Sequence, residues 1–490
     1  MQRAFLGAAA GAVVLLGASR VSANGRFPQS DQIVFTPKDP NLIVARTTYG
    51  ILPSHDNGTT WWYLCEDVLG LPPNAVQDPE IALTASGSLV AGTTSSGLSV
   101  STDVGCNWSC AAGGLSGKNI ADVVTRPESP DVVLALAVTI RAGDGGTNND
   151  SQVFQSSDDG ATWTPLGSPI DPTSTVETID VAKSDPNRIY VSAWRGIGDS
   201  RVASLLVSMD KGQTWTERDV PSSLFDAAAE DRVWIGGVDP TDANRVYLRS
   251  NAHVAGGKSR VYVTTDAGAT FKELKAFDMG PAKPSYIVGE FLGFALSPDG
   301  SKIYFGSSQG GLYVADRATM TATQTSPIDI HCLATRPAAT GGVELWACGD
   351  DYTSGASGAE FLIGVSTDDG VHFASKLATV TTLCGPVACP NATGTLGCGA
   401  TINGAGCGDS YMNFCSQNDQ TMSCGTCPGG DGGVEGGGGV RGDAGTGSSK
   451  SSSCACSAVG GGGGAAGAVA SCVLAAAALA RRRRRSQTAR

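Results

Sequence analysis

One eight-residue pattern recurs along this chain and limits what it can fold into. Its clearest copy is Ser156-Ser-Asp158-Asp-Gly160-Ala-Thr162-Trp163. The same form appears as Ser54-His-Asp56-Asn-Gly58-Thr-Thr60-Trp61, Ser101-Thr-Asp103-Val-Gly105-Cys-Asn107-Trp108 and Ser208-Met-Asp210-Lys-Gly212-Gln-Thr214-Trp215. Two later copies are Thr264-Thr-Asp266-Ala-Gly268-Ala-Thr270-Phe271 and Ser366-Thr-Asp368-Asp-Gly370-Val-His372-Phe373. The Asp carboxylate can accept backbone N–H groups of a bend, and Gly reaches positive φ without strain. The aromatic residue adds apolar area that a short hairpin otherwise lacks. Each copy therefore reads as a tight hairpin turn. Successive starts at Ser54, Ser101, Ser156, Ser208 and Thr264 lie 47, 55, 52 and 56 residues apart, and Ser366 follows after 102, twice the period. A further copy is expected near residue 315, where Gly311-Leu-Tyr313-Val-Ala315-Asp316 reads as a strand ending in a degraded box. A steady period of roughly 50 residues predicts seven stacked copies of one unit rather than several unrelated domains.

Between boxes, each repeat follows one grammar: strand, Pro/Asp turn, strand, loop, strand, box, strand. In the fourth repeat the strands read as Thr178-Ile-Asp-Val-Ala182, Arg188-Ile-Tyr-Val-Ser-Ala193, Ser204-Leu-Leu-Val207 and Thr214-Trp-Thr-Glu217, with Ser184-Asp-Pro186-Asn as the first turn. Equivalent turns are Pro37-Lys-Asp-Pro40, residues 127–130, Asp239-Pro-Thr-Asp242 and Ser297-Pro-Asp-Gly300. Val, Ile, Tyr and Trp fill the strands, while Gly, Pro, Asp and Asn fill the turns. Motif and period resemble the Asp-box (BNR) repeats of sialidase-like β-propellers, over roughly residues 30–380. The resemblance implies an all-β fold, a single seven-bladed β-propeller over residues 30–382. It also implies a structural role for the boxed Asp, Gly and aromatic residues, because that family's boxes sit on the blade periphery, away from the ligand face.

Both termini carry sorting features. Residues 1–23 read as a signal peptide: Met1-Gln-Arg3, an apolar run over 4–17, and the small residues of Val21-Ser-Ala23 before the cleavage point. Export implies export and sorting machinery as partners. Residues 428–453 are mostly Gly, Ser and Asp, a disordered linker. Then come Cys454-Ala-Cys456, an apolar stretch over 457–480 long enough to cross a bilayer, and five arginines from Arg481 to Arg485, which the positive-inside rule assigns to the cytoplasm. This layout of residues 454–490 resembles the MYXO-CTERM tail of myxobacterial exported proteins. It implies processing near the cysteine motif and sorting to the cell surface or outer membrane. An unprocessed inner-membrane anchor is the other reading.

Cysteine usage agrees with export. Of fifteen cysteines, Cys454, Cys456 and Cys472 belong to the tail, and the even remainder suggests disulfides. Cys332 and Cys348 flank one hairpin of the seventh repeat and are expected to pair. That leaves Cys65, Cys106 and Cys110 in the first two repeats and seven between Cys384 and Cys427, both odd groups. If every thiol pairs, at least one bridge joins the Cys-rich extension (383–427) to the first two repeats and closes the propeller. Metal binding by Cys424-Gly-Thr-Cys427 is the rival reading, though no second pair or histidine lies nearby.

A net charge of −12 leaves no basic surface to neutralise phosphates, so a nucleic-acid partner is not expected. The four histidines (His55, His253, His331, His372) are scattered, and there is no phosphate loop or Ser elbow. No metal or cofactor is expected. If each box joins strands three and four, it shares a face with the turn between strands one and two. The two-to-three loops and the connections between blades then gather on the opposite face. The long insertions, 141–150, 194–202, 251–259 and 350–360, all fall there, as a binding surface requires. Candidate ligand-binding residues are Arg46, Tyr49, Glu66, Trp194, Arg195, Asp351 and Tyr352, beside Asp199, Asn251 and His253.

The sialidase resemblance implies three arginines for a carboxylate, a Tyr–Glu nucleophile pair and an Asp acid. Gly25-Arg26-Phe27-Pro28 stands where the family has its first arginine motif, although Gly25 and Phe27 depart from it. Arg195 and Arg249 are candidates for the other two arginines, and Tyr286 with Glu290 for the nucleophile pair. Sialidases also have six blades, against the seven counted here. Seven-bladed xyloglucan-cleaving relatives pair two propellers, and one is present here; a carboxylate pair among Asp351, Asp199 and Glu66 would be needed for such chemistry. The reading is an exported, surface-anchored, monomeric propeller, a non-catalytic binding or scaffold module for a glycan or protein ligand. A sialidase-like exo-glycosidase is the alternative.

Overall fold

A computed structural model describes residues 29–387, apart from 70–77, 95, 142–147, 253, 255–256, 279–290, 308–309 and 350–360. Residues 1–28 and the chain beyond residue 387, and with them the segments read above as signal peptide, linker, membrane segment and tail, lie outside the described residues. Seven antiparallel sheets follow in chain order, six of four strands and the first of three. The first strands, Ser30–Phe35, Glu80–Leu83, Asn119–Arg126, Thr175–Val181, Glu230–Val238, Phe291–Leu296 and Cys332–Pro337, pack each beside the next, and the seventh beside the first. The ring is a seven-bladed β-propeller with these strands innermost. Helix is confined, among the described residues, to short 3₁₀ turns, and no helix there is long and apolar enough to cross a membrane.

Blade four shows how the grammar is realised. Its strands are Thr175–Val181, Ile189–Arg195, Val202–Ser208 and Thr216–Asp219, paired in that order. The middle strands are covered on both faces by the neighbouring blades, so Ile189, Tyr190, Val191, Ala193, Ala203 and Leu205 are fully buried. The sequence pattern puts the fourth strand's start at Thr214; it starts at Thr216, because Asp210 takes the Thr214 N–H at 2.9 Å and keeps that residue in the turn. The insertion at 141–150 also differs, since Arg141 and Asn148–Asp150 belong to the paired strands Ser129–Arg141 and Asn148–Ser156.

The box is a self-satisfied turn. Asp158 Oδ1 accepts the Ser156 hydroxyl (2.8 Å) and the Thr162 N–H (2.9 Å), and Oδ2 accepts the Thr162 hydroxyl (2.6 Å). Ser156 Oγ accepts the Gly160 N–H (2.8 Å), and the Trp163 indole donates to the Gly160 carbonyl (2.7 Å). In the seventh blade the His372 ring takes the Thr role against Asp368 at 2.7 Å. The residue before each box glycine is left-handed even without being glycine: Asn57, Val104, Asp159, Lys211, Ala267 and Asp369 have φ of 60°, 52°, 59°, 61°, 55° and 59°. The degraded sixth copy forms a tight turn too, with Asp316 Oδ1 accepting the N–H groups of Ala318 (3.0 Å) and Thr319 (2.9 Å).

The glycine has a second role. A Cβ on Gly105 would come 2.1 Å from Leu64 of blade one; on Gly160, 2.9 Å from Val90 of blade two; on Gly370, 2.1 Å from Leu312 of blade six. Gly58 meets Trp346 of blade seven at 2.9 Å in the same way. The boxes are thus joints between blades, and the joint recurs across ring closure. They share a face with the first turns: the Asn57, Lys211 and Ala267 N–H groups donate to the Asn41, Asn187 and Asn244 carbonyls at 3.0, 2.9 and 2.9 Å.

Among the described residues, ring closure exchanges no strand between the two blade sheets, since the strands of blade one and of blade seven each come from one contiguous segment. Instead Arg336 of blade seven lies over Phe35 and Trp346 (5.0 and 5.1 Å), donates to the Pro40 carbonyl at 2.8 Å, and reaches the Asn57 side chain. Lys376 Nζ donates to the Asn57 carbonyl (3.1 Å) and the Trp61 indole to the Lys376 carbonyl (3.1 Å). After a 3₁₀ turn at Val380–Thr382 the chain crosses to blade one, whose outer segment it joins in parallel: Cys384 N–H to Trp61 O (2.9 Å), Tyr63 N–H to Gly385 O (2.8 Å), Val387 N–H to Tyr63 O (3.0 Å). Cys332 and Cys348 are bridged, the local pairing the sequence implies. Cys65, Cys106, Cys110 and Cys384 are each disulfide-bonded as well. Three cysteines cannot pair among themselves, so at least one bridge runs from blades one and two to Cys384 or beyond.

Two outcomes follow. Gly105→Ala is expected to cost about 1–3 kcal/mol through left-handed strain and the clash with Leu64, read as a lowered denaturant midpoint with unchanged slope. Arg336→Ala is expected to cost about 2–3 kcal/mol for its lost charged hydrogen bonds, and reductant is expected to lower the Tm further in both proteins. An Arg336→Ala protein as stable as the parent would remove the seam from this account.

Candidate functional site

On the face opposite the boxes, a cleft of about 650 Å³ opens between the two-to-three loop of blade four and the connection to blade five. Asp199, Ser200 and Arg201 form one wall, residues 222–228 the other, and Val202, Val220 and Arg260 lie between them. The first wall is a 3₁₀ turn, Gly198–Ser200, in which Ser200 Oγ donates to the Ile197 carbonyl at 2.7 Å. In the second, the Leu224 and Phe225 N–H groups return to the Pro221 carbonyl at 2.8 and 3.0 Å, and Phe225 is buried.

Beneath the cleft lies a buried polar knot. Glu230 is wholly inaccessible, and its carboxylate meets Arg260 Nη1 (2.5 Å), the Tyr262 hydroxyl (2.8 Å), the Asp226 N–H (2.7 Å) and the Ser250 hydroxyl. Burial raises the Glu230 pKa, against the lowering effect of these donors. Burial and then the Glu230 charge push Tyr262 far upward, the wrong direction for a nucleophilic phenolate. A Tyr–Glu pair beside an arginine therefore exists here, in closed structural form.

Toward the channel runs a stack of guanidinium and indole groups. Arg201 lies over Trp194 (5.1 Å), and Arg232 and Arg249 lie over Trp234 (5.9 and 5.4 Å). Glu177 joins the two blades, accepting the Trp194 indole N–H at 2.7 Å and Arg232 at 3.2 Å. Its pKa is raised by burial despite Arg232.

Of the sequence candidates, Trp194 and Asp199 come to this region. Arg195, the next residue along the strand from Trp194, is forked onto Glu217 (2.6 Å) and Asp219 (2.7 Å). Arg249 stands at Trp234, apart from that fork. Arg46 pairs with Glu80 at 2.8 Å; burial lowers its pKa, and the Glu80, Asp31 and Asp78 charges more than reverse this. Tyr49 is half-buried against blade one and accepts the Tyr63 hydroxyl on its carbonyl (3.0 Å), Glu66 opens the 3₁₀ turn Glu66–Leu69, and Asn251 is buried. Arg26, His253, Tyr286, Glu290, Asp351 and Tyr352 lie outside the described residues. Arg201, Asp226, Glu230 and Arg260 escaped the sequence reading. Their partners are far along the chain, and the only local sign was an apolar Leu224-Phe225 after Pro221.

No protein-family model and no curated protein matches this sequence. Among solved structures, the chain is similar to an ancestral GH74 enzyme at 15% identity and a TM-score of 0.49, over 71% of this chain and 46% of that one. It is also similar to the extracellular domain of a candidate one-component system from B. thetaiotaomicron (12%, TM-score 0.44, 70% of this chain and 39% of that one). A third is the GH74 enzyme of Niastella koreensis (15%, TM-score 0.30, 70% and 71%). The chain spans under half the length of the first two.

The innermost strands carry carboxylates of their own. Asp122 accepts the Val123 N–H and, from blade four, the Ile179 N–H, both at 2.8 Å; Asp180 accepts the Val181 N–H (2.7 Å) and, from blade five, the Val238 N–H (3.0 Å). Burial raises both, with Glu80 adding to Asp122, and Asp180 is brought to about 6. The box carboxyls move the other way: the Thr162 hydroxyl lowers Asp158, the Thr214 hydroxyl Asp210, and the His372 N–H brings Asp368 to about 2. A raised carboxyl contributes stability that is complete below its unfolded pKa and lost as pH rises through its folded value. A lowered one contributes stability present above the unfolded pKa and lost as pH falls through the folded value. The Tm is expected to peak at about pH 4 and to decline on both sides, toward 2 and toward 7. A maximum at or above neutrality would contradict this balance.

Proposed function

We propose that the chain is an exported propeller displayed at the cell surface, which binds a glycan or protein ligand without catalysis through its loop face. The carrying observation is the cleft between blades four and five. It is large enough for a small ligand or one or two side chains of a larger one, and it mixes apolar walls with a few polar groups, as binding pockets do. The described groups best suited to chemistry are committed elsewhere. Arg195 is saturated by Glu217 and Asp219, Arg260 by Glu230 and Glu273, and Tyr262 is closed and hard to ionise. The box motif supports membership of the Asp-box family. The apolar leader and the cysteine, apolar and arginine order of the tail support export and surface sorting, with the tail as membrane attachment and the folded part as a monomer.

The test is a fluorogenic sialic-acid glycoside assay on the disulfide-bonded full chain beside Arg26→Ala, followed by a glycan and peptide array with Trp194→Ala. No turnover, with array binding weakened by about tenfold in Trp194→Ala, is the expected result. Turnover that disappears in Arg26→Ala would replace this reading with a sialidase-like hydrolase.

A further inference from the structure

We propose that the cleft takes the ammonium or guanidinium group of a basic peptide segment, with its apolar stem against the cleft wall. This names the ligand chemistry of the loop-face binding reading and rests on it. Of the two arginines that line the cleft, Arg260 is neutralised from behind, between Glu230 (2.5 Å) and Glu273 (3.2 Å). Arg201 is stacked on Trp194 at 5.1 Å, gives Nη1 to the Glu230 carbonyl at 3.3 Å, and its charge acts on Glu177. Asp199 and Asp226, on opposite walls, are exposed and belong to no ion pair among the described residues.

Four carboxylates, Asp199, Asp226, Glu230 and Glu273, therefore outnumber Arg201 and Arg260 at the cleft, and the two exposed ones stand where a ligand enters. Val202, Val220, Leu224 and Phe225 supply an apolar wall between the two carboxylates, and Ile197, two residues before Asp199, is 63% exposed. Lysine and arginine have this form, an apolar stem ending in a cation. A phosphate or carboxylate ligand would face two uncompensated aspartates instead. Attraction of this kind acts mainly on association and on partner choice, and salt weakens it. The walls are held in place before binding, since Asp226 N–H is fixed to Glu230 (2.7 Å) and its carboxylate to the Ala228 N–H (3.1 Å). Ordering cost on binding is correspondingly small.

The experiment measures fluorescence anisotropy of a labelled Gly-Leu-Lys-Lys-Leu-Gly peptide against the full-length, disulfide-bonded protein, its Asp199→Asn and Asp226→Asn variants, and Ser222→Trp, which fills the cleft. Each Asn variant is expected to weaken binding by about tenfold, as is acetylation of the peptide lysines, with Tm unchanged. Asparagine keeps the acceptor for the Ala228 N–H, so the fold is preserved. Equal affinity of the acetylated peptide, or of the Asn variants, overturns the proposal. A neutral or acidic glycan whose binding is abolished by Ser222→Trp but untouched by the Asn changes also overturns it, and leaves the loop-face reading standing. Array binding that Ser222→Trp leaves unchanged removes the cleft from both.

Discussion

A hydrogen where every other residue has a carbon lets six of the seven blades of this propeller touch the one before it through the box turn. The box glycine must be left-handed for the turn to close, and it must also be bare, because the preceding blade's side chain occupies the position of its Cβ. Gly105 against Leu64, Gly160 against Val90 and Gly370 against Leu312 are the same contact at three places in the ring. The Asp carboxylate serves this contact by taking up the N–H groups of the turn, so that a loop with two consecutive left-handed residues has satisfied donors. The turn is a local device, and the joint it makes is what turns seven hairpin stacks into a ring.

A ring also has to close, and among the described residues no strand is exchanged between the first and last blade sheets to close it. Blade one meets blade seven through the ordinary joint, Gly58 on Trp346, reinforced by Arg336, which is held between two aromatic rings and two acceptors. Residues 384–387 then lie along 61–63 through one parallel bridge and three backbone hydrogen bonds, beside cysteines bonded on both sides of the crossing. Noncovalent packing, these backbone bonds and disulfides together do here what an exchanged strand would otherwise do. The C-terminal segment accordingly belongs to the folded unit at least as far as Val387.

What could be read from the sequence was whatever is local and periodic. The box turns, the seven-fold count, the degraded sixth turn at Asp316, the shared face of boxes and first turns, and the Cys332–Cys348 bridge all lie within one repeat. Each has a spacing or a turn residue that announces it. The fourth strand's start was misplaced by two residues because the competition for the Thr214 N–H is won by Asp210, which a propensity argument does not weigh. The cleft was illegible for a different reason. Its walls come from a blade-four turn and a connector, its floor from Glu230, Arg260 and Tyr262 in blade five, and the contacts among them cross sheets. Trp194 and Asp199 were singled out because they stand in a long loop, while Arg201 and Asp226 gave no such sign.

Catalysis and recognition make different demands on the groups of this face. Catalytic groups need capacity left over: a carboxyl poised to exchange a proton, a phenol kept ionisable, guanidinium groups free for a substrate anion. Among the described residues, the raised carboxyls Asp122 and Asp180 spend their oxygens on backbone N–H groups of adjacent blades, and Glu230 is closed in by four donors. These groups fasten blade to blade. Asp199, Asp226, Ser222 and Ser223 are exposed on the cleft walls, where a ligand can meet them. Among the described residues, the buried carboxyls are used in the joints and the freer polar groups stand on one open face, an arrangement that agrees with the recognition role proposed above.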